Sequence, residues 1–230
     1  MNPQASEGEL IWEFFARKPE GFFVEVGAND PHNSSQTWFL EQRGWRGVLV
    51  EPLFRFYEPL KAARPRSLVF QVACGAPGHP ATADLFVGEN AEHSSLLPNS
   101  VDARTRYVHK ETVRVLTLDE VLAECGHPRV DFVSIDVEGL QLDVLKGLDV
   151  TRHRPALLLV EDHLLNWQTH FHLQRRGYRL VKRTQLNNWY VPKGTSFTMT
   201  SAVESLKLWR KVWPGTPLRM LKARWRRKDQ

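Results

Sequence analysis

Short apolar runs, separated by polar breaks marked with Gly and Pro, recur along this chain at intervals that fit alternating strands and helices. Phe22–Val26, Val48–Val50, Leu68–Val72, Val130–Ile135 and Ala156–Val160 have the length of buried strands rather than of helices. Between them, Glu7–Arg17, Thr37–Arg43, Phe54–Ala63, Thr117–Glu124, Leu140–Lys146 and Leu164–Arg175 carry apolar residues at helical spacing. Leu10, Ile11, Phe14 and Phe15 share one side of the first, and Ser6 is placed to cap it. Pro65 stops the third, and Gly177 follows the last. This alternation predicts an α/β fold with a parallel sheet and helices on both faces. From Gly75 to Lys110 the rhythm lapses: Ala83–Val87 reads as a strand and Glu89–Ser100 as a loop. Tyr178–Arg183 and Trp189–Val191 flank a turn containing Asn187-Asn188 and read as a closing antiparallel pair.

The strand ends carry the chemistry. In open α/β sheets ligands sit beyond the carboxyl ends of the strands. Those ends read in order as Glu25/Gly27, Glu51, Ala73-Cys74-Gly75, Asp136 and Glu161-Asp162, so four of the five carry acids. Any one acid there serves equally well as a helix cap. Several together repel one another unless a ligand or cation is present. Gly27 lets backbone approach a ligand closely, and Glu51 stands where α/β nucleotide folds place a ribose-binding carboxylate. The pair points to an adenosine-containing cofactor. Absence of Gly-x-Gly-x-x-Gly argues against a conventional dinucleotide loop.

Composition narrows the class. At 230 residues, with 42% hydrophobic and 25% charged, the chain has the make-up of a soluble α/β domain with a small appendage. No apolar run approaches the ~20 residues that span a bilayer, and the first residues lack a signal-peptide pattern, so a cytoplasmic location is expected. Cys74 and Cys125 are too few for a disulfide framework or a cysteine zinc site. Residues 201–230 hold nine Lys or Arg against Glu204 and Asp229, a net +7; the chain's +5 therefore leaves −2 for residues 1–200. A nearly neutral body lacks the basic face that nucleic-acid binding requires.

Four motifs in order resemble the FkbM-type S-adenosylmethionine-dependent methyltransferases. They are Phe22-Phe23-Val24-Glu25-Val26-Gly27-Ala28 with Ser34-Ser35-Gln36-Thr37, and Gly44-Trp45-Arg46-Gly47-Val48-Leu49-Val50-Glu51-Pro52. Val130–Gly139 and Val144-Leu145-Lys146-Gly147 complete the series. Asp30-Pro31 departs from a common glycine, and Gln141 from a common acid. The resemblance implies a class I methyltransferase sheet of seven strands, one antiparallel near the edge. It implies a cofactor-contacting set of Glu25, Gly27, Asn29, Ser35, Thr37, Glu51, Pro52, Ala73, Cys74 and Asp136. Within that set Glu25, Gly27 and nearby backbone hold the methionine portion, Glu51 takes the ribose hydroxyls, and Val72–Cys74 border the adenine. Ser34, Ser35 and Thr37 either bond the cofactor carboxylate or cap the helix that follows them.

Methyl transfer to an alcohol needs in-line positioning and removal of the hydroxyl proton, by a general base or by a metal that lowers the alcohol's pKa. Asp136, Glu161 and Asp162 end two successive strands ~4.8 Å apart and are candidate ligands for Mg²⁺ or another hard divalent cation; the alternative is that they bind substrate hydroxyls directly. With Asp136, His163 is the first candidate for base and His93 the second. The expected reaction is O-methylation of a sugar hydroxyl in a glycan or glycolipid precursor, with a natural-product hydroxyl as the alternative. A nicotinamide oxidoreductase would need the missing glycine fingerprint. A non-catalytic basic module would act through the tail alone.

The tail divides from a methyltransferase domain at about residue 200. Val203, Leu206, Trp209, Val212 and Trp213 recur at helical spacing among Lys207, Arg210 and Lys211, followed by a second basic segment with Leu218, Leu221 and Trp225. Such a helix lies on an anionic membrane, packs on its own domain, or joins a second copy in a homo-oligomer.

Overall fold

The computed structural model describes residues 6–33, 35–97, 106–126, 129–162 and 166–213. The alternation is present. Helix α1 (Glu7–Phe14), capped by Ser6 and Glu9, precedes β1 (Phe22–Val26), α2 (Trp38–Glu41), β2 (Arg46–Val50), α3 (Phe54–Ala63) and β3 (Leu68–Phe70). After β4 (Ala73–Cys74), β5 (Thr82–Gly88), a 3₁₀ turn (Ala91–His93) and β6 (Tyr107–Leu116) come α4 (Leu118–Glu124), β7 (Phe132–Ile135), α5 (Gln141–Lys146) and α6 (Val150–His153). The chain continues through β8 (Leu157–Glu161), α7 (Trp167–Arg175), β9 (Tyr178–Thr184), β10 (Asn187–Pro192) and α8 (Ala202–Val212).

Seven strands form the main sheet in the order β3-β2-β1-β7-β8-β10-β9. All neighbours from β3 to β8 are parallel, while β10 runs antiparallel to both β8 and β9. This is the expected seven-stranded sheet, with one reversed strand next to an edge. Each strand alternates its faces, and each face has its own core. Val24, Val26, Val48, Val133, Ile135 and Leu158 meet Leu118, Val121, Val144, Leu145 and Leu173 on one side. Phe23, Leu49, Phe132, Leu159 and Trp189 meet Ile11, Leu40, Trp45 and Leu60 on the other. Strands buried on both faces read as continuous apolar runs, which is why β1, β7 and β8 were plain in the sequence.

A second sheet, β4-β6-β5, was not expected beyond Ala83–Val87. The expected strand Leu68–Val72 ends in the main sheet at Phe70; Ala73 and Cys74 then pair in parallel with Val115 and Leu116 of β6. Asn187 and Asn188 are not turn residues. They begin β10, and the turn is Gln185-Leu186, with Gln185 left-handed at φ 48°. Paired asparagines are stable there because Glu7 accepts from Asn187 Nδ2 at 2.6 Å and Arg183 donates to Asn188 Oδ1. The expected helix Thr37–Arg43 is a single turn, Trp38–Glu41. Residues 214–230, including the second basic segment, lie outside the described residues, as do Ser34 and His163. Among the described residues no helix is long and apolar enough to cross a membrane.

Candidate functional site

Strand order reverses beside β1: β2 and β3 lie to one side, β7 and β8 to the other. A crevice opens at such a point, beyond the carboxyl ends of the strands. Here Val26-Gly27, Val50-Glu51, Ile135-Asp136 and Glu161 come together. Gly27 sits at φ +80°, and a Cβ on it would lie 1.8 Å from the Asp136 carbonyl oxygen. Only glycine allows this contact between the ends of β1 and β7. The turn after Gly27 is drawn to β2, since Gly27 and Ala28 both donate to the Val50 carbonyl, at 2.9 and 3.1 Å.

Glu51 is buried at the centre of a cleft of about 630 Å³ lined also by Asn29, Pro52, Leu53, Val72, Ala73, Cys74, Leu85, Leu96 and Leu140. Its two oxygens each accept one backbone N–H, from Asn29 at 3.1 Å and Leu53 at 2.8 Å. An ionised carboxylate has about four acceptor sites, so one per oxygen remains for a vicinal diol. Burial raises the Glu51 pKa to about 7, against the lowering effect of the two N–H donors. Apolar walls from two sheets, with a diol-binding acid between them, match an adenosine. Burial also pushes the Cys74 thiol up to about 12, which makes it wall rather than nucleophile.

A second, polar cleft of about 840 Å³ adjoins the first through Gly27, Asn29, Glu92, Asp136 and Glu138. Glu25, Asn33, Gln36, His93 and Glu161 complete its polar lining, and neither Lys nor Arg is among the described residues around it. Asp136 is raised well above the ordinary aspartate range. Burial is the largest cause, followed by its hydrogen bond with Glu161 and the charges of Glu161, Glu138 and Glu25. Asn29, left-handed at φ 51°, carries a buried Oδ1 without a hydrogen-bond partner among the described residues. An uncompensated acceptor beside clustered acids fits a cation that donates hydrogen bonds.

Besides lining the polar cleft, Glu25 organises the loop that follows β1. The Glu25 carboxylate accepts from Ser35 Oγ at 3.0 Å, Gln36 N at 2.8 Å and Thr37 Oγ1 at 2.5 Å. Thr37 Oγ1 in turn accepts from Arg64 Nη2 at 2.8 Å, and Arg64 Nε donates to Glu41 at 2.6 Å with both side chains buried. Burial raises the Glu25 pKa, opposed first by the charge of Arg64 and then by these bonds. Three of Glu25's acceptor sites thus shape the loop after β1. Ser35 Oγ also accepts from Trp38 N at 3.1 Å, so it caps α2, whereas the Thr37 side chain makes no cap. Arg64 had no periodic signal in the sequence; its only mark was a basic residue just before Pro65.

The expected trio of metal ligands does not form. Asp136 and Glu161 meet, but Asp162 turns away and accepts from the backbone N–H of Asn166. Consecutive residues of an extended segment point to opposite sides, so Glu161 and Asp162 cannot both face one cation. Among the described residues no three of His, Cys, Asp and Glu are grouped to hold a metal ion. His93 lies at the exposed rim of the polar cleft. Ser95 was read as loop, yet it is buried and donates to the Glu138 carbonyl at 2.8 Å, fastening the arm of the small sheet over the adenosine cleft.

Two solved structures follow a partly similar course of chain at low identity. A TehB-like SAM-dependent methyltransferase from Corynebacterium glutamicum aligns over 83% of this chain and 87% of its own, at 12% identity and a TM-score of 0.40. Precorrin-6y C5,15-methyltransferase from Geobacter metallireducens aligns over 80% and 85%, at 13% identity and 0.43. No curated protein sequence matches significantly. The methyltransferase FkbM domain matches residues 25–180, more than half of the chain and every strand from the end of β1 through β8. The chain belongs to the FkbM family of S-adenosylmethionine-dependent methyltransferases.

Proposed function

We propose that this protein is an O-methyltransferase that alkylates a hydroxyl of a sugar in a glycan or glycolipid precursor. One observation carries the reading: the cleft adjoining the adenosine site is lined by Glu92, Asp136, Glu138, Glu161, Asn33, Gln36 and His93. Carboxylates and amides at that density suit a polyhydroxylated acceptor and leave an apolar or anionic one poorly solvated.

The residues present fit the cofactor. Glu51 takes the ribose diol, Gly27 leaves room for the chain, and Asn29 Oδ1 and the acids beside it receive the ammonium. When bound, S-adenosylmethionine supplies an electrophilic methyl on a sulfonium. The acidic wall of Asp136 and Glu138 stabilises positive charge at that end of the cleft. The mutually hydrogen-bonded Asp136 and Glu161 hold a site where a hydroxyl proton is accepted, with His93 at the rim as the second candidate. The protein otherwise acts by orientation and by excluding water.

The test is incubation with methyl-labelled S-adenosylmethionine and a panel of sugars, nucleotide sugars and lipid-linked sugars, with the product located by NMR. A methyl ether at a sugar hydroxyl oxygen is expected. Methyl on an amine, a thiol or a carbon of the acceptor would refute the reading.

A further inference from the structure

Helix α8 buries one face and leaves the opposite face apolar. Val212 is buried, and Leu208 lies on the same side, toward β9. Lys182 of β9 reaches across to Glu204 at 3.6 Å and donates to the Met199 carbonyl at 3.0 Å. Trp213 packs near Trp167 and His170 with ring centroids 6.4 and 6.5 Å away. These contacts fix the rotation of the helix. At 100° per residue, Val203, Leu206 and Trp209 then cluster on the far side, and their exposures are 62, 58 and 56%. A helix needs one apolar face to pack on its domain; this one has a second with nothing covering it among the described residues.

The flanks of that second face are basic. Arg210 lies within it, and Lys207 borders it. Lys207 and Lys211 also line a shallow cleft with Lys182 and Arg183, where Glu204 is the one acid among the described lining residues. Residues 214–230, immediately downstream, carry six further Lys or Arg against Asp229. We propose that the outward face of α8 docks the protein on an anionic lipid surface. Leu206, Val203 and Trp209 enter the headgroup boundary, and Lys207 and Arg210 meet lipid phosphates. Charge favours a bilayer over a second copy of the chain, because pairing two such faces would bring like cations together. The face also has a place relative to the catalytic cleft. Gln185 lines the basic cleft beside α8, and its neighbour Leu186 lines the polar cleft of the active site. The helix that carries this face therefore sits one hairpin turn from the mouth. The inference stands apart from the identity of the acceptor.

Co-sedimentation of the full chain with vesicles of phosphatidylcholine alone, and of phosphatidylcholine with 30% phosphatidylglycerol, tests it. Binding is expected on the anionic vesicles, weakened about tenfold between 0.1 and 0.5 M NaCl. Leu206→Asp with Trp209→Asp should reduce it at least tenfold, and Lys207→Glu with Arg210→Glu likewise. S-adenosylhomocysteine affinity should be unchanged in both, which shows that the fold is intact. No binding by the wild type overturns the proposal. So does wild-type binding that survives the Leu206/Trp209 pair, which would place the contact in residues 214–230. A dimer in solution that the same pair dissociates would also overturn it, since a second copy would then cover the face.

Discussion

Glu51 is a buried acid, and the diol-binding role proposed for it requires an anion; the two demands are separable by pH. Burial lifts its pKa from 4.5 to about 7. Between those values the folded protein holds a proton that the unfolded chain has already released. Folded-state proton excess means that stability falls as pH rises. The effect is absent below about pH 4.5, grows through the window, and is complete above about pH 7. A shift of that size corresponds to about 3 kcal/mol of lost stability. Glu51→Gln removes the titration. Its amide also sets an NH₂ against one of two backbone N–H donors, a fixed cost of about 1–3 kcal/mol that does not vary with pH. The decisive quantity is therefore the change in the variant-minus-wild-type unfolding free energy between pH 4.5 and pH 8. Urea denaturation should show it moving in the variant's favour by about 3 kcal/mol, equivalent to roughly 6–12 °C in Tm for a chain of this size. Other raised acids, such as Asp136 and Glu25, remain in both proteins and cancel. The same group predicts proton release on cofactor binding, since a carboxylate accepts both ribose hydroxyls only when ionised. At pH 6, calorimetry in buffers of different ionisation enthalpy should register about 0.9 proton released per S-adenosylhomocysteine. A pH-dependent difference under ~1 kcal/mol, with no proton release, would show that Glu51 titrates as an ordinary surface acid and refute the argument.

Gly27→Ala places a methyl 1.8 Å from the Asp136 carbonyl at a left-handed position, so a loss above ~2 kcal/mol and no measurable cofactor binding are expected by denaturation and calorimetry. Asn29→Gly keeps the left-handed backbone and removes the unpartnered Oδ1; S-adenosylhomocysteine should bind about tenfold more weakly while stability changes by less than ~1 kcal/mol. Arg64→Met strands Glu41 in the interior and should cost ~3–5 kcal/mol, of which Arg64→Met with Glu41→Met recovers most; an additive double-mutant cycle would dissolve the pair.

The parallel sheet and the acids at its ends were legible because both follow from local rules. Strands covered on two faces show unbroken apolar runs, and the residues just past them must face the crevice. What escaped was decided by distant partners. Strand β6 begins with Tyr107-Val108-His109-Lys110-Glu111, half of it solvated against β5, so its alternation becomes clear only at Val113 and Val115. Asn187 and Asn188 carry turn chemistry by themselves and become strand through Glu7, about 180 residues away, and Arg183. The position of Glu25 at the end of β1 is legible; its bonds to Ser35 and Thr37, and through Thr37 to Arg64, are not, because no spacing reveals their convergence. Asp162 parts from Glu161 for a simpler reason, since neighbours along an extended segment face opposite ways and Asp162 accepts from the Asn166 N–H instead.

The small sheet contributes to both halves of the active site. Its β5–β6 arm provides Leu85, Ala91 and Leu96 to the wall of the cleft around Glu51, and the adjacent Glu92 and His93 to the polar cleft. Ser95 locks that arm to the backbone of Glu138. Grafting residues 82–116 from a relative to change what is methylated would therefore also replace the wall on which the donor rests. Transplanted arms should first fail in cofactor affinity, and regain function through substitutions at Leu85 and Leu96 before any at the sheet ends. In this fold, exchange of the acceptor specificity is mechanically geared to the fit of the donor.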